Sequence, residues 1–370
     1  RYPTDGRINI MQGVFLGHRI SVRSISPCNR LRFSSPLISR ARGARVTMSQ
    51  AGHLALVTGG TGFVAGELVK QLLEKGYQVR TTVRPGTDAS RLQPLKLLAQ
   101  ALPGSLEIVE ADLLAEQAFH QAVAGAEVVF HVASPFFIEA DDPQAALVEP
   151  ALRGTASLFA AVAAQGKGAV RRVVLTSSCA AVKGMHPAPP KDGRRYTEAD
   201  WNTTSTVEGG QAYWVGKTKA EELAWEQAKQ HGIDLVTILP EFILGPVLSP
   251  HARGTSVGAL QGWLHGASAP GTFTFADVRA VARAHVRAAE VPRAGGRRFI
   301  VAARQATTGR QISAILREHF PHLPIKDGED GEPPEFGVDA SAAAELLSVH
   351  SVPVEETLVD MARTLLAFGL

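Results

Sequence analysis

From Leu54 onward the apolar residues gather into short continuous runs, separated by stretches of helical periodicity. Runs at 54–58, 78–83, 106–111, 127–132, 172–177 and 234–239 predict strands. Several, such as Val173-Val174-Leu175 and Leu235-Val236-Thr237-Ile238-Leu239, show almost no polar alternation. A strand buried on both faces has that composition, whereas a half-solvated strand alternates. Periodic segments at 64–75, 90–101, 115–123, 145–165 and 213–230 predict the intervening helices. Strand and helix in regular alternation argue for an α/β fold with a doubly wound parallel sheet. The pattern loosens at 183–211 and 245–275, two stretches rich in Gly, Pro and polar residues. Loops of that length inside a compact domain are functional or mobile. Beyond them the periodicity predicts a helix over 277–290, a strand over 297–302, a helix over 308–320, and helices near 340–348 and 354–367. Thr307 or Thr308, and Asp339, are the N-cap candidates.

Composition narrows the class. The chain has 370 residues, 45% hydrophobic and 20% charged, ordinary values for a globular enzyme. No apolar run in the sequence reads as long enough to span a bilayer. Cys28 and Cys179 lie far apart, so neither a disulfide framework nor a metal cluster is expected. The net charge of +3 is unevenly placed. Residues 1–48 hold nine Arg, no Lys and one acid, Asp5, so that segment is +8 and the remainder −5. The basic character therefore belongs to the leader, and nucleic-acid binding is not expected of the body. An Arg- and Ser-rich, acid-poor leader has the composition of an organellar transit peptide, beginning at Met11. The alternative is a true start at Met48 with spurious upstream residues. A cytoplasmic location is expected, or a plastid or mitochondrial one if residues 1–48 are a genuine transit peptide.

The first strand runs into Val57-Thr58-Gly59-Gly60-Thr61-Gly62-Phe63-Val64-Ala65-Gly66. Strand, glycine-rich turn and helix in succession can set backbone N–H groups, including those of Phe63 and Val64, against a pyrophosphate at a helix N-terminus. Gly59 permits the turn, Gly62 opens the approach, and Ala65 is small where helix meets strand. Arg84 lies 25 residues after Gly59, where an acid would bond ribose hydroxyls. A guanidinium there, joined by Arg91, instead matches a 2′-phosphate and points to NADP(H). Asp112 either accepts from the adenine amino group or caps a helix. Ala133 and Ser134 end a strand at the rim where ligands bind in such sheets. His131 reads as a packed strand histidine and Cys179 as a small packed residue.

The pair Tyr213 and Lys217 is spaced i, i+4 at the start of an amphipathic helix, so both lie on one face. A nearby ammonium is expected to lower the phenol pKa toward working pH, allowing Tyr213 to give a proton to a carbonyl oxygen. Ser177 and Ser178 end a strand with side chains on opposite faces, so one of them can hold that oxygen; periodicity does not say which.

With the glycine turn, strand-end serine and Tyr/Lys pair in this order, the chain resembles the extended short-chain dehydrogenase/reductases. Within them it is similar to the dihydroflavonol reductase, cinnamoyl-CoA reductase and aldehyde/ketone reductase branch. The resemblance covers roughly 54–370 and is carried by Val57-Thr58-Gly59, Thr82-Val83-Arg84, His131-Val132-Ala133-Ser134-Pro135, Val173 through Ser178, Lys217 through Trp225, Gly245-Pro246 and Asp277 through Val286. It implies a Rossmann-type sheet over 51–245 and a smaller, mainly substrate-binding part over 246–370, with 183–211 contributing. It implies catalysis by Ser178, Tyr213 and Lys217, and places Pro240 near the nicotinamide. Gly59, Gly62, Arg84, Arg91 and Asp112 fall at cofactor positions. The expected activity is NADPH-dependent reduction of a small-molecule aldehyde or ketone by a monomer or homodimer, with no metal. A nucleotide-sugar epimerase or dehydratase, a hydroxysteroid-type dehydrogenase, and a non-catalytic NADP(H)-binding regulator are the alternatives. Lys183 stands where dihydroflavonol reductases place an Asn. Gln211 through Lys217 lacks the run that cinnamoyl-CoA reductases show, which favours a generic aldehyde/ketone reductase. Phe136, Phe137, Met185 and Trp214 are candidates for an apolar wall.

Overall fold

A computed structural model of the chain describes residues 52–113, 115, 118–134, 142–185, 190, 193–331 and 337–370. The leader, with Asp5, Met11, Cys28 and Met48, lies outside the described residues, as do Phe136 and Phe137. The strands are β1 (Leu54–Val57), β2 (Gln78–Val83), β3 (Ser105–Glu110), β4 (Val128–His131), β5 (Arg172–Thr176), β6 (Leu235–Pro240), β7 (Phe242–Leu244), β8 (Thr272–Phe273), β9 (Phe275–Asp277), β10 (Arg298–Val301) and β11 (Thr307–Thr308). Seven of them form one parallel sheet in the order β10-β6-β5-β4-β1-β2-β3. The order reverses between β1 and β4, which makes the rim there the natural ligand crevice. β4 and β6 are buried at every residue, as their unbroken apolar runs require. β3, at the edge, is made of exposed and half-buried positions only.

One face of the sheet is covered by α1 (Phe63–Glu74), α2 (Ala89–Ala101), α7 (Val278–Glu290) and α9 (Ser341–Leu347), around Leu68, Leu72, Val281 and Val286. The other face carries α3 (Ala118–Val123), α4 (Glu149–Ala164) and α5 (Ala212–His231), around Phe119, Leu158 and Phe159. Each fully buried Leu or Phe of this kind contributes about 1.5–3 kcal/mol. The helical stretch Gln144–Ala164 does have the length and apolarity of a membrane span, contrary to the sequence expectation, but it is used here as a sheet-covering element packed on α3 and α5.

A separate core gathers α6 (Thr255–Leu264), α8 (Gly309–His319) and α10 (Val354–Ala367) around Leu260, Trp263, Phe275, Leu316 and Met361. The 245–275 stretch thus contains α6 and β8 and runs into β9, where the sequence pattern predicted loop. Gly258 and Gly262 weaken its helical propensity, and the burial of Val257, Leu260, Trp263 and Leu264 overrides them. Between its visits to this core the chain returns to the sheet through α7 and β10. Thr308 caps α8 in a reciprocal box with Gln311, and Asp339 accepts from the Ser341 N–H at the start of α9.

Candidate active site

The glycine turn leaves β1 at the reversal point. Gly59 has φ +75°, a left-handed conformation that favours glycine. Gly62 is the exposed N-cap of α1 and provides no side-chain cap, so the helix N-terminus is open to an anion. The strictest position is Gly60, which sequence reasoning passed over. A Cβ there would lie 2.2 Å from Thr81 Oγ1. The turn is anchored by Thr58. Its hydroxyl oxygen accepts from the Val132 and Ala133 N–H groups at 3.0 and 2.9 Å, and so donates to His131 Nδ1 at 3.1 Å. That ties the glycine turn to Ala133 and Ser134 at the end of β4. Phe63 packs against the C-terminal core and Val64 against the sheet core, which aims the first turn of α1. Ala65 is buried. These features fit a dinucleotide pyrophosphate.

Arg84 follows β2, and Arg91 lies in the first turn of α2, whose N-cap Asp88 accepts from Ser90. Both arginines are exposed, and neither forms an ion pair among the described residues. Asp112 is exposed just past β3. Arg84 and Asp112 thus follow the C-terminal ends of neighbouring strands, β2 and β3.

The catalytic candidates converge. Ser178 caps a short turn of helix, Cys179–Ala181, accepting from Ala180 N–H at 3.1 Å, and its hydroxyl lies beside Tyr213, where it pulls the phenol pKa down. Ser177 instead turns inward and donates to Glu221 at 2.6 Å. The two serines, alike in the sequence, therefore have different partners. Lys217 lies one turn past Tyr213, its Nζ 6.0 Å from the phenol ring centroid and 3.5 Å from the Thr176 carbonyl oxygen. Burial pulls its pKa down to about 8, against a raising influence from Glu221. The expected lowering of the tyrosine pKa is not found. Burial raises it, more than the Ser178 hydroxyl lowers it, so Tyr213 is held as a proton donor. Pro240 ends β6, buried.

His131 and Cys179 are packed, as expected. Burial, with Lys217 nearby, lowers His131 to about 3, and Cys179 donates to the Leu239 carbonyl at 3.2 Å. Lys183 pairs with Glu241 at 2.8 Å beside this turn. Trp214 stands edge-on to Tyr213 at 5.6 Å between centroids, and Met185 is half-buried. A cavity of about 20 Å³ lies against Lys217, His131, Thr155, Thr176, Ser177 and Glu221. A larger one, about 480 Å³, sits at the outer edge of β10 against α9, and none of the predicted site residues lines it. Sequence reasoning missed Glu221 and Arg298. The signal for Glu221 was available: it continues the four-residue spacing of Tyr213 and Lys217 on the buried face of α5.

A family model described as the NAD dependent epimerase/dehydratase family matches residues 55–302, from the first strand to the last strand of the sheet. The chain belongs to the NAD-dependent epimerase/dehydratase family, the extended short-chain dehydrogenase/reductases. A cinnamoyl-CoA reductase of Medicago truncatula is 35% identical over 328 residues, 86% of this chain and 98% of that protein. An anthocyanidin reductase of Vitis vinifera is 34% identical over 294 residues, 76% of this chain and 85% of that protein. Among solved structures of the family fold, Gre2 from Candida albicans in complex with NADPH superimposes with a TM-score of 0.74 at 28% identity, covering 86% of this chain and all of that one.

Proposed function

We propose that the protein reduces an aldehyde or ketone to the alcohol with NADPH, through Tyr213, Lys217 and Ser178. At the level of the family it is an NADP-dependent oxidoreductase. The observation that carries the finer reading is the placement of the Ser178 hydroxyl beside the buried Tyr213 phenol, with Lys217 one turn further along the same helix and its Nζ 6.0 Å from the ring centroid. When bound, NADPH would supply the hydride. Tyr213, protonated in its buried setting, donates a proton to the substrate oxygen. Ser178 holds that oxygen and stabilises the charge that develops on it. Lys217 places a cation beside the phenol as the proton leaves. Arg84 and Arg91 supply the guanidinium groups for the 2′-phosphate. The test is Tyr213→Phe, assayed by NADPH oxidation against a panel of aldehydes and ketones. The expected outcome is a fall in kcat of about 100-fold or more, with NADPH affinity nearly kept. Parental turnover in that variant overturns the proposal.

A further inference from the structure

Two turns beyond Tyr213 on α5, Glu221 places a carboxylate between the helix and the sheet with no solvent exposure. Its Oε2 accepts from Ser177 Oγ at 2.6 Å, and its Oε1 from Thr237 Oγ1 at 2.7 Å and Trp225 Nε1 at 3.3 Å. The Arg298 guanidinium closes on both oxygens, at 2.8 and 3.1 Å. Arg298 lies 3.8 Å from the centroid of the Trp201 ring. It donates onward to the carbonyl oxygens of Glu198, Asp200 and Ala181, at 2.7, 2.6 and 3.4 Å.

A buried ion pair is poor as a source of net stability, because both ions lose their water. What this pair does have is direction. The buried face of α5 is otherwise made of Ala212, Val215, Gly216, Ala224, Ala228 and Thr218, whose hydroxyl bonds back to the Trp214 carbonyl within the same helix. Such a surface fixes the rotation of a helix weakly. Glu221 supplies fixed-geometry bonds at that face, and they reach β5 through Ser177, β6 through Thr237, and β10 and the Cys179–Ala181 turn through Arg298. Ser178 follows Ser177 directly, and Tyr213 and Lys217 precede Glu221 on the same helix.

We propose that Glu221 is the positioning residue of the catalytic group, setting the Ser178–Tyr213 separation by locking the end of β5 to α5. This rests on the reading that those two hydroxyls share one substrate oxygen. The experiment compares Glu221→Gln, Ser177→Ala and the double variant Glu221→Gln/Arg298→Met with Tyr213→Phe. It measures kcat, KM for the carbonyl, the Kd for NADPH by fluorescence, and Tm. Misplacing the pair by about 1 Å is expected to lower kcat about 100-fold in Glu221→Gln and about fivefold in Ser177→Ala, with NADPH Kd changed less than about twofold. The double variant removes the unpaired buried cation, so its Tm returns toward the parent while kcat stays at least about 30-fold down. A double variant that recovers activity together with Tm shows a purely structural pair and overturns the proposal, as does an equal loss in NADPH affinity. If Glu221→Gln does not fold, the other two variants decide. A dead Tyr213→Phe beside a fully active folded Glu221 variant sinks the positioning role alone. An active Tyr213→Phe sinks the reductase reading itself.

Discussion

Lowering the pH from 7 to 5 should destabilise this fold through two histidines that cannot accept a proton in place. His285, in α7, has no exposed surface. Its Nδ1 faces the Val281 carbonyl oxygen at 2.8 Å and must carry the hydrogen, so Nε2 accepts from Thr176 Oγ1 at 2.7 Å. His131 accepts from Thr58 at Nδ1 and lies beside the Lys217 ammonium. Protonating either ring turns an acceptor into a donor facing the threonine hydroxyl that donates to it, in a buried setting that penalises the new charge. Burial accordingly holds His131 at about 3 and His285 at about 4. An unfolded histidine titrates near 6.5. Because the folded values are the lower ones, the unfolded chain takes up protons first as pH falls. The stability is intact above about 7 and is lost between 6.5 and the folded values. At about 1.4 kcal/mol per pH unit and per ring, the step to pH 5 removes about 2 kcal/mol for each, or about 4 kcal/mol in all. That is a large share of the 5–15 kcal/mol typical of a folded domain. Urea denaturation at pH 7, 6 and 5 should show the midpoint falling with the slope unchanged. His285→Asn, which keeps a donor toward Val281, should abolish about half of the pH dependence. A parent whose midpoint is flat from pH 7 to 5 would refute the argument. So would an unaltered pH dependence in both the His285 and His131 variants.

Other consequences can be checked directly. Carbonyl reduction should fall off as pH rises through about 8, because Lys217 loses its proton there; Lys217→Arg should move that limb upward, as a rate–pH profile will show. Arg84→Ala should raise the KM for NADPH by about tenfold while leaving that for NADH nearly unchanged, measured by steady-state kinetics with both cofactors. Gly60→Ala should push the glycine turn off Thr81, lowering Tm by a change worth about 1–3 kcal/mol and weakening NADPH binding, seen by thermal melts and fluorescence titration.

The sheet was legible because its central strands are buried on both faces, which leaves runs such as Val173-Val174-Leu175 without alternation. The edge strand β3 was found within one residue at each end, and helix α6 was missed. α6 is helical through tertiary burial of Trp263 and its neighbours rather than through propensity. Tyr213, Lys217 and the glycine turn were legible because chemistry fixes their spacing along a single element. Ser178 was only half legible, since two adjacent hydroxyls look alike until a partner, Glu221, claims one of them. Arg298 left no trace in the pattern. Its role depends on a pairing across 77 residues of chain, which local periodicity cannot encode. The phenol pKa went the other way from expectation for a similar reason: spacing gives the distance to an ammonium but not the loss of water around the ring.

The last strand to join the sheet is β10, and it arrives only after the chain has built α6 and α7. A product truncated near residue 245 would therefore leave β6 with an open flank of unpaired amides and carbonyls, an invitation to self-association. It would also lack the guanidinium that neutralises a carboxylate in its interior. The two halves of this enzyme are consequently not interchangeable modules. Fusions or domain grafts made at that junction should yield aggregates rather than an autonomous nucleotide-binding unit.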